Sequence, residues 1–178
     1  MIPSSYFLRT ARLGMRQYTL ADVEQLREIF ADPYAAQFYP ALQETEALER
    51  WIKWSMNNYQ TYGFGLWALE LLDTGRFIGD AGVTYQMVEE KKLLEIGYHI
   101  HPLCRGLGYA TEAAHACMEY CLVNLDADFV CSIVHPANIA SIKVASRIHA
   151  CRRDFQGKNG PMLLFNTTAE QYKTSRRL

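Results

Sequence analysis

The sequence predicts a mixed α/β fold: a central, mostly antiparallel, twisted sheet flanked by helices. Three observations carry this reading. Segments rich in β-branched, aromatic and aliphatic residues outnumber helical ones, three of them follow one another with only turns between, and the apolar period then switches to the helical 3.6. The 178 residues suit one domain, with a core over about residues 8–168, and 49% apolar with 21% charged residues is the usage of a folded globular chain.

Arg12 to Tyr18 reads as a first strand. Thr19 followed by Asp22 is a capping-box pattern, opening a short helix with Val23, Leu26 and Ile29 on one face. After Asp32-Pro33, the spacing of Leu48, Trp51, Ile52, Ser55 and Tyr59 predicts a helix from about Glu44 to Tyr59, ended by Gly63 and Gly65. Leu66 to Leu72, Phe77 to Val88 and Leu93 to His101 read as consecutive antiparallel strands, turned by Asp73-Thr74-Gly75 and by the charged Glu89-Glu90-Lys91-Lys92.

From Gly108 to Leu125 the stripe Ala110, Ala114, Cys117, Cys121, Leu125 opposes Glu112, His115 and Glu119, as in an amphipathic helix packed on a sheet. Phe129 to Val134 is a strand stopped by His135-Pro136. Asn138 is a good N-cap for a helix that turns Ala140, Val144 and Ile148 inward, and Cys151 to Phe155 with Met162 to Thr167 supply closing strands. No internal repeat or low-complexity linker interrupts the pattern.

Eighteen basic against 19 acidic residues leave a net charge of -1, so no whole-molecule field draws nucleic acid or anionic membrane. No run approaches the roughly 20 apolar residues of a membrane span, and Met1 to Arg12 holds no leader-like apolar run, so a cytoplasmic protein is expected. Five cysteines, an odd number without a Cys-x-x-Cys pair, read as reduced and mostly buried thiols, and no metal is predicted.

The segment that carries chemistry runs from Glu95 to Ala113, where a strand passes through a glycine-containing turn into a helix. A helix N-terminus offers unpaired N–H groups and the positive end of the dipole; Gly106 and Gly108 let backbone approach an anion, and Arg105 adds charge. These features specify a phosphate-binding turn without naming its ligand. A dinucleotide enzyme and a ligand-free turn stay open at this point, although Thr111 stands where the third small residue of the dinucleotide fingerprint belongs.

Arg105-Gly106-Leu107-Gly108-Tyr109-Ala110 resembles the Arg/Gln-x-x-Gly-x-Gly/Ala signature of the GNAT (Gcn5-related N-acetyltransferase) superfamily, and Asn138-x-x-Ser141 resembles its second coenzyme-facing block, about thirty residues downstream. Leu8 to Leu13, Asp22, Asp32-Pro33, Glu95-Ile96-Gly97-Tyr98 and Thr111-Glu112-Ala113 are similar to the branch that includes the RimJ and RimL ribosomal-protein acetyltransferases.

The resemblance implies a sheet split by a V-shaped gap and an acetyl-CoA-dependent N-acetyltransferase acting directly on a primary amine, either a protein N-terminus or a small molecule. It implies coenzyme contacts at Ile100, Arg105, Gly106, Leu107, Gly108, Tyr109, Ala110, Thr111, Asn138 and Ser141. A homodimer is compatible with it. A non-catalytic acyl-CoA-binding module is the alternative, because the family's acid, a Tyr four residues after the serine, is Ala145 here; His149 likewise replaces a common Gly.

Strand parity puts Glu95, Gly97, His99 and His101 on one face. An amine of pKa about 10 must shed a proton, and Glu95 is the first candidate base with His99 the second. Ser141 is the candidate donor to the departing sulfur. For the acceptor wall, Phe38, Tyr39, Trp51, Trp54, Tyr85 and Phe155 are the candidates, while Glu44, Glu46 and Glu49 are read as favourable to a helix dipole.

Overall fold

The computed structural model describes residues 6–176; residues 1–5, part of the start read above for a leader, and residues 177–178 lie outside that description. Among the described residues, eight strands form one open sheet in the order β1-β2-β3-β4-β5-β6-β8-β7, in which only the β5–β6 pairing is parallel. The mixed, mostly antiparallel architecture predicted from the sequence is the one observed.

The first strand is a short hairpin, β1 (Leu8–Arg9) against β2 (Leu13–Arg16), rather than one segment from Arg12 to Tyr18. Thr19 and Asp22 form the expected capping box, leading through a 3₁₀ turn into α1 (Val23–Phe30), whose Val23, Leu26, Ile29 and Phe30 are buried. Asp32 caps a further short helix, α2 (Pro33–Ala36), not foreseen in the sequence. Helix α3 (Thr45–Tyr62) ends on Gly63 in the left-handed region, φ 79°.

Strands β3 (Leu66–Leu71), β4 (Phe77–Val88) and β5 (Lys91–Ile100) are consecutive and antiparallel. The charged β4–β5 turn is shorter than predicted. Only Glu89 and Glu90 turn, both at positive φ, while Lys91 and Lys92 already pair with Val88 and Met87. Helix α4 (Tyr109–Glu119) follows, and the predicted run to Leu125 loosens into i→i+5 bonding over Tyr120–Asn124.

Strand β6 (Phe129–Val134), helix α5 (Ile139–Ile148), strands β7 (Cys151–Gly157) and β8 (Gly160–Thr168), and helix α6 (Ala169–Ser175) complete the chain. Helices α1 and α3 cover one sheet face, with Leu26, Phe30, Leu48 and Ile52 against Leu66 and Ala68. Helix α4 covers the other, placing Ala113, Ala114 and Cys117, followed by Cys121 from the Tyr120–Asn124 turn, against Trp67, Ile78 and Ile96. Four cysteines are buried and Cys151 is exposed. Among the described residues, no helix is long and apolar enough to cross a membrane, and no group of three or more potential metal ligands assembles.

The functional feature of the sheet is where it opens. Strands β5 and β6 share only the pairs Leu94–Val130 and Glu95–Cys131. Past that point side chains take over from the ladder. Ser132 Oγ donates to the Ile96 carbonyl at 2.9 Å, and the Ile133 N–H donates to the Glu95 carboxylate at 3.3 Å. The strands then diverge into a wedge between Tyr98 and α5, where Tyr98 Oη donates to the Ser141 carbonyl at 3.1 Å.

Candidate active site

A cleft of about 510 Å³ fills this wedge and brings together both sequence blocks singled out for chemistry. Its lining includes Tyr98 to Ile100 from β5, Arg105, Gly106 and Gly108 to Thr111 from the turn into α4, and Asn138, Ser141, Lys143 and Arg147 from α5. Leu107 belongs to the same turn but leaves 56% of its surface exposed outside the lining.

The turn is built for backbone approach. Gly106 and Gly108 adopt φ 80° and 83°, a region costly for residues with Cβ, and no atom lies within 4 Å of where a Cβ on Gly106 would stand. Helix α4 starts at Tyr109 with Gly108 as its N-cap, and its first intrahelical bond runs from Glu112 N–H to the Gly108 carbonyl. The N–H groups of Tyr109, Ala110 and Thr111 therefore precede any intrahelical acceptor and face the cleft with the positive end of the dipole.

Arg105 is placed differently from expectation. Its Nε donates to the Ile100 carbonyl and its Nη1 pairs with Asp32 at 2.7 Å, so its charge is already matched and its geometric task is to fold the turn. Asp32 is held below the usual carboxylate range: desolvation alone would raise it, and the Arg105 ion pair together with the Ala35 and Tyr34 N–H groups overcomes that. Sequence reasoning missed Arg12, which grips the turn from the other side. Its Nη1 donates to the Leu107 carbonyl, its Nε pairs with Glu112 at 2.6 Å, and its guanidinium stacks over Tyr109. The only signal was the co-occurrence of Arg12 with Thr111-Glu112 in the family pattern.

On the opposite wall Asn138 caps α5 as predicted, its Oδ1 accepting from Ser141 N–H at 3.1 Å and from Tyr34 Oη at 3.1 Å. Tyr34 Oη also accepts from Ala140 N–H. The segment Asp32-Pro33-Tyr34 thus straps the cleft, bonded to Arg105 on one side and to the α5 N-terminus on the other. Ala140 is exposed, contrary to the inward position predicted for it, because the first turn of α5 borders the cleft; Ala145, Ile148 and, in part, Val144 supply the buried face. The Ser141 hydroxyl lines the cleft and makes no hydrogen bond among the described residues. Ala145 is fully buried against Val134, Leu163 and Phe165, so that position belongs to the core.

The predicted parity holds: Glu95, Gly97 and His99 face α1 and α3, where a Cβ on Gly97 would meet only Leu66. His99 reaches the cleft. Its Nδ1 lies 2.6 Å from Asp80 Oδ1, and Asp80, wholly buried, accepts from Tyr18 Oη at 2.8 Å through its other oxygen. A carboxylate only accepts, so the Nδ1 proton points at Asp80, and in the neutral imidazole it is Nε2 that carries the lone pair. Phe30, Tyr39 and Trp51 surround the imidazole, ring centroids 5.1, 4.8 and 5.7 Å away. Neither Asp80 nor Tyr18 was singled out in the sequence.

Glu95 lies deeper, outside the cleft lining, where burial pushes its carboxyl up to about 7 against the opposing pull of the Ile133 N–H and His99. His101, its side chain 12% exposed, meets Glu28 of α1 at 3.1 Å. Of the predicted acceptor wall, Phe38 and Tyr39 line the cleft and Trp51 backs His99. Trp54 is 38% exposed and outside the lining. Tyr85 packs on Tyr62 and Phe64, on the other side of β4, and Phe155 packs beside Arg153 on β7; neither reaches the cleft. Aromatic identity alone did not report which side of the sheet each residue occupies.

The family described as Acetyltransferase (GNAT) domain matches residues 12–150. The uncharacterized protein YkkB of Bacillus subtilis (strain 168) is 35% identical over 120 residues, spanning 67% of this chain and 70% of that one. An acetyltransferase from Agrobacterium tumefaciens str. C58 superposes with a TM-score of 0.75 at 26% identity, covering 90% of this chain and 92% of that chain. RimL, a ribosomal L7/L12 alpha-N-protein acetyltransferase solved in complex with coenzyme A, has a TM-score of 0.74 at 13% identity, over 92% and 98% of the two chains, and shares the fold.

Proposed function

This chain belongs to the GNAT acetyltransferase family, and on that premise we propose that it moves the acetyl group of acetyl-CoA directly onto a primary amine, in one domain. Membership in a family of acetyltransferases makes it an enzyme rather than the non-catalytic module weighed above. The observation that carries the proposal is the sharing of one cleft by an anion-binding turn and an Asp-oriented imidazole.

The cradle fits a pyrophosphate. Backbone N–H groups over residues 106–111 would hold it, with open space above Gly106, while Lys143 and Arg147 would supply further positive charge along the α5 wall. The Asn138 cap fixes the α5 turn that faces the coenzyme, and Ile100 continues the wall below Tyr98. When bound, acetyl-CoA supplies the acetyl group as a thioester.

His99 Nε2, held in the accepting tautomer by Asp80, which Tyr18 in turn fixes, takes a proton from the acceptor ammonium and leaves the neutral amine to attack. The N–C bond forms as the C–S bond breaks, with a strand N–H near Tyr98 polarising the carbonyl. Ser141 Oγ, with no hydrogen-bond partner among the described residues, donates to the departing sulfur and recovers its proton from the amine nitrogen, which sheds its second proton as the amide forms. Glu95, on the same strand face, is the second candidate for the base through water.

Calorimetry with acetyl-CoA, NAD and ATP tests the cofactor, and thiol release in the presence of primary amines tests the reaction. Micromolar or tighter binding of acetyl-CoA alone of the three, with amine-dependent release, is the expected result. Failure of acetyl-CoA to bind would sink the proposal.

A further inference from the structure

We infer that the acceptor is a primary amine carried on an apolar or aromatic group, with no second positive charge nearby; this rests on the acetyl-transfer reading above. The side of the cleft that meets His99 is walled by Ile29, Phe30, Ala35, Phe38 and Tyr39. Such a wall gains by covering apolar surface, and its ring faces tolerate a single ammonium before its proton is removed.

A second ammonium has nothing to meet. Among the described residues no Asp or Glu lines the cleft, and its charged lining consists of Arg105, Lys143 and Arg147 beside His99. The carboxylates around it are committed elsewhere: Asp32 to Arg105, Asp80 to Tyr18 and His99, Glu95 to the Ile133 N–H behind the lining, and Glu28 to His101 at the outer surface. Placing an unpaired cation in such an enclosure forfeits its hydration without return. Coenzyme phosphates seated on the turn and beside Lys143 and Arg147 do not change this, because they match those cations without adding an anion beside the aromatic wall.

The same chemistry comes from two sources, a free amine or the first residue of a polypeptide, and the test separates them. Thiol release at saturating acetyl-CoA is measured with phenethylamine, with a peptide beginning in Phe, with spermidine, and with a peptide beginning in Lys. The apolar member of each pair should show a kcat/KM at least about tenfold above its polycationic counterpart. Comparing phenethylamine with the Phe peptide identifies the source. Phe38→Glu, at a half-buried position, should narrow the phenethylamine-to-spermidine ratio with acetyl-CoA affinity unchanged. Equal or better turnover of spermidine and the Lys peptide by the unaltered enzyme overturns the acceptor class and leaves acetyl transfer standing. Absence of release with every amine despite acetyl-CoA binding overturns both.

Discussion

Asp80 has both carboxylate oxygens engaged inside the sheet, and its effect on chemistry runs entirely through the imidazole it holds. Asp80→Asn preserves size but can offer its amide N–H to Nδ1, favouring the tautomer whose Nε2 is protonated and unable to accept. Turnover should fall by about 10²- to 10⁴-fold with acetyl-CoA affinity retained, read as kcat beside a calorimetric Kd. Glu95→Gln discriminates the two candidate bases. With His99 as base, kcat stays within a few-fold; with Glu95 as base it collapses and the kinetic limb near pH 7 disappears. Strand parity was enough to place Glu95 and His99 on one face, but not to find Asp80. A turn over Glu89 to Lys92 would have set Asp80 opposite His101. The observed two-residue turn shifts that register by two and sets it opposite His99.

That two-residue turn is the element where local preference and fold disagree. Glu89 and Glu90 adopt φ 48° and 67°, values that glycine and asparagine take with little strain and glutamate does not. Glu89 is compensated by a two-pronged contact with Arg153 at 3.0 and 2.7 Å; Glu90 has no such partner among the described residues. Glu90→Gly should therefore raise the unfolding free energy by about 1 kcal/mol, measured by urea titration, with kinetics unchanged. At the other functional turn the direction reverses. Gly108 holds φ 83° where a Cβ would approach Arg12 Nη2 at 3.4 Å, so Gly108→Val should weaken acetyl-CoA binding at least tenfold through the displaced α4 N-terminus. Long periodic elements such as α3 and β4 were legible because their apolar residues are the buried ones, and α5 was legible through its Asn138 cap and Ile148, although Ala140 is exposed. The α2 strap was not: four residues carry no period, and its partners Arg105 and Asn138 lie about 70 and 100 residues away in sequence.

Across the whole molecule, a buried histidine and a half-buried glutamate at the β5–β6 opening give opposing responses to pH. His149, where the family commonly has Gly, completes a hydrogen-bonded chain. Its Nε2 meets Ser132 Oγ at 3.0 Å, which donates to Ile96, and its Nδ1 meets Thr167 Oγ1, which accepts from Ala150 N–H. Burial depresses its pKa from 6.5 to about 3, so the stability it contributes is present above pH 6.5 and is lost as pH falls toward 3, where the unfolded chain alone binds the proton. Burial raises Glu95 from 4.5 to about 7, so its contribution is present below pH 4.5 and is lost as pH rises through 7. Each slope is about 1.4 kcal/mol per pH unit, so between pH 6.5 and 4.5 they cancel, and below 4.5 only the His149 loss continues. Urea unfolding from pH 8 to 3.5 should show these two contributions flat in the middle window. Glu95→Gln removes the compensation: it should gain about 3 kcal/mol at pH 8 and then lose stability steadily below pH 6.5. His149→Gln, which can restore one donor and one acceptor, should instead become more stable as pH falls from 7 to 4.5. Three parallel pH curves would show that neither group is buried as the structure places it.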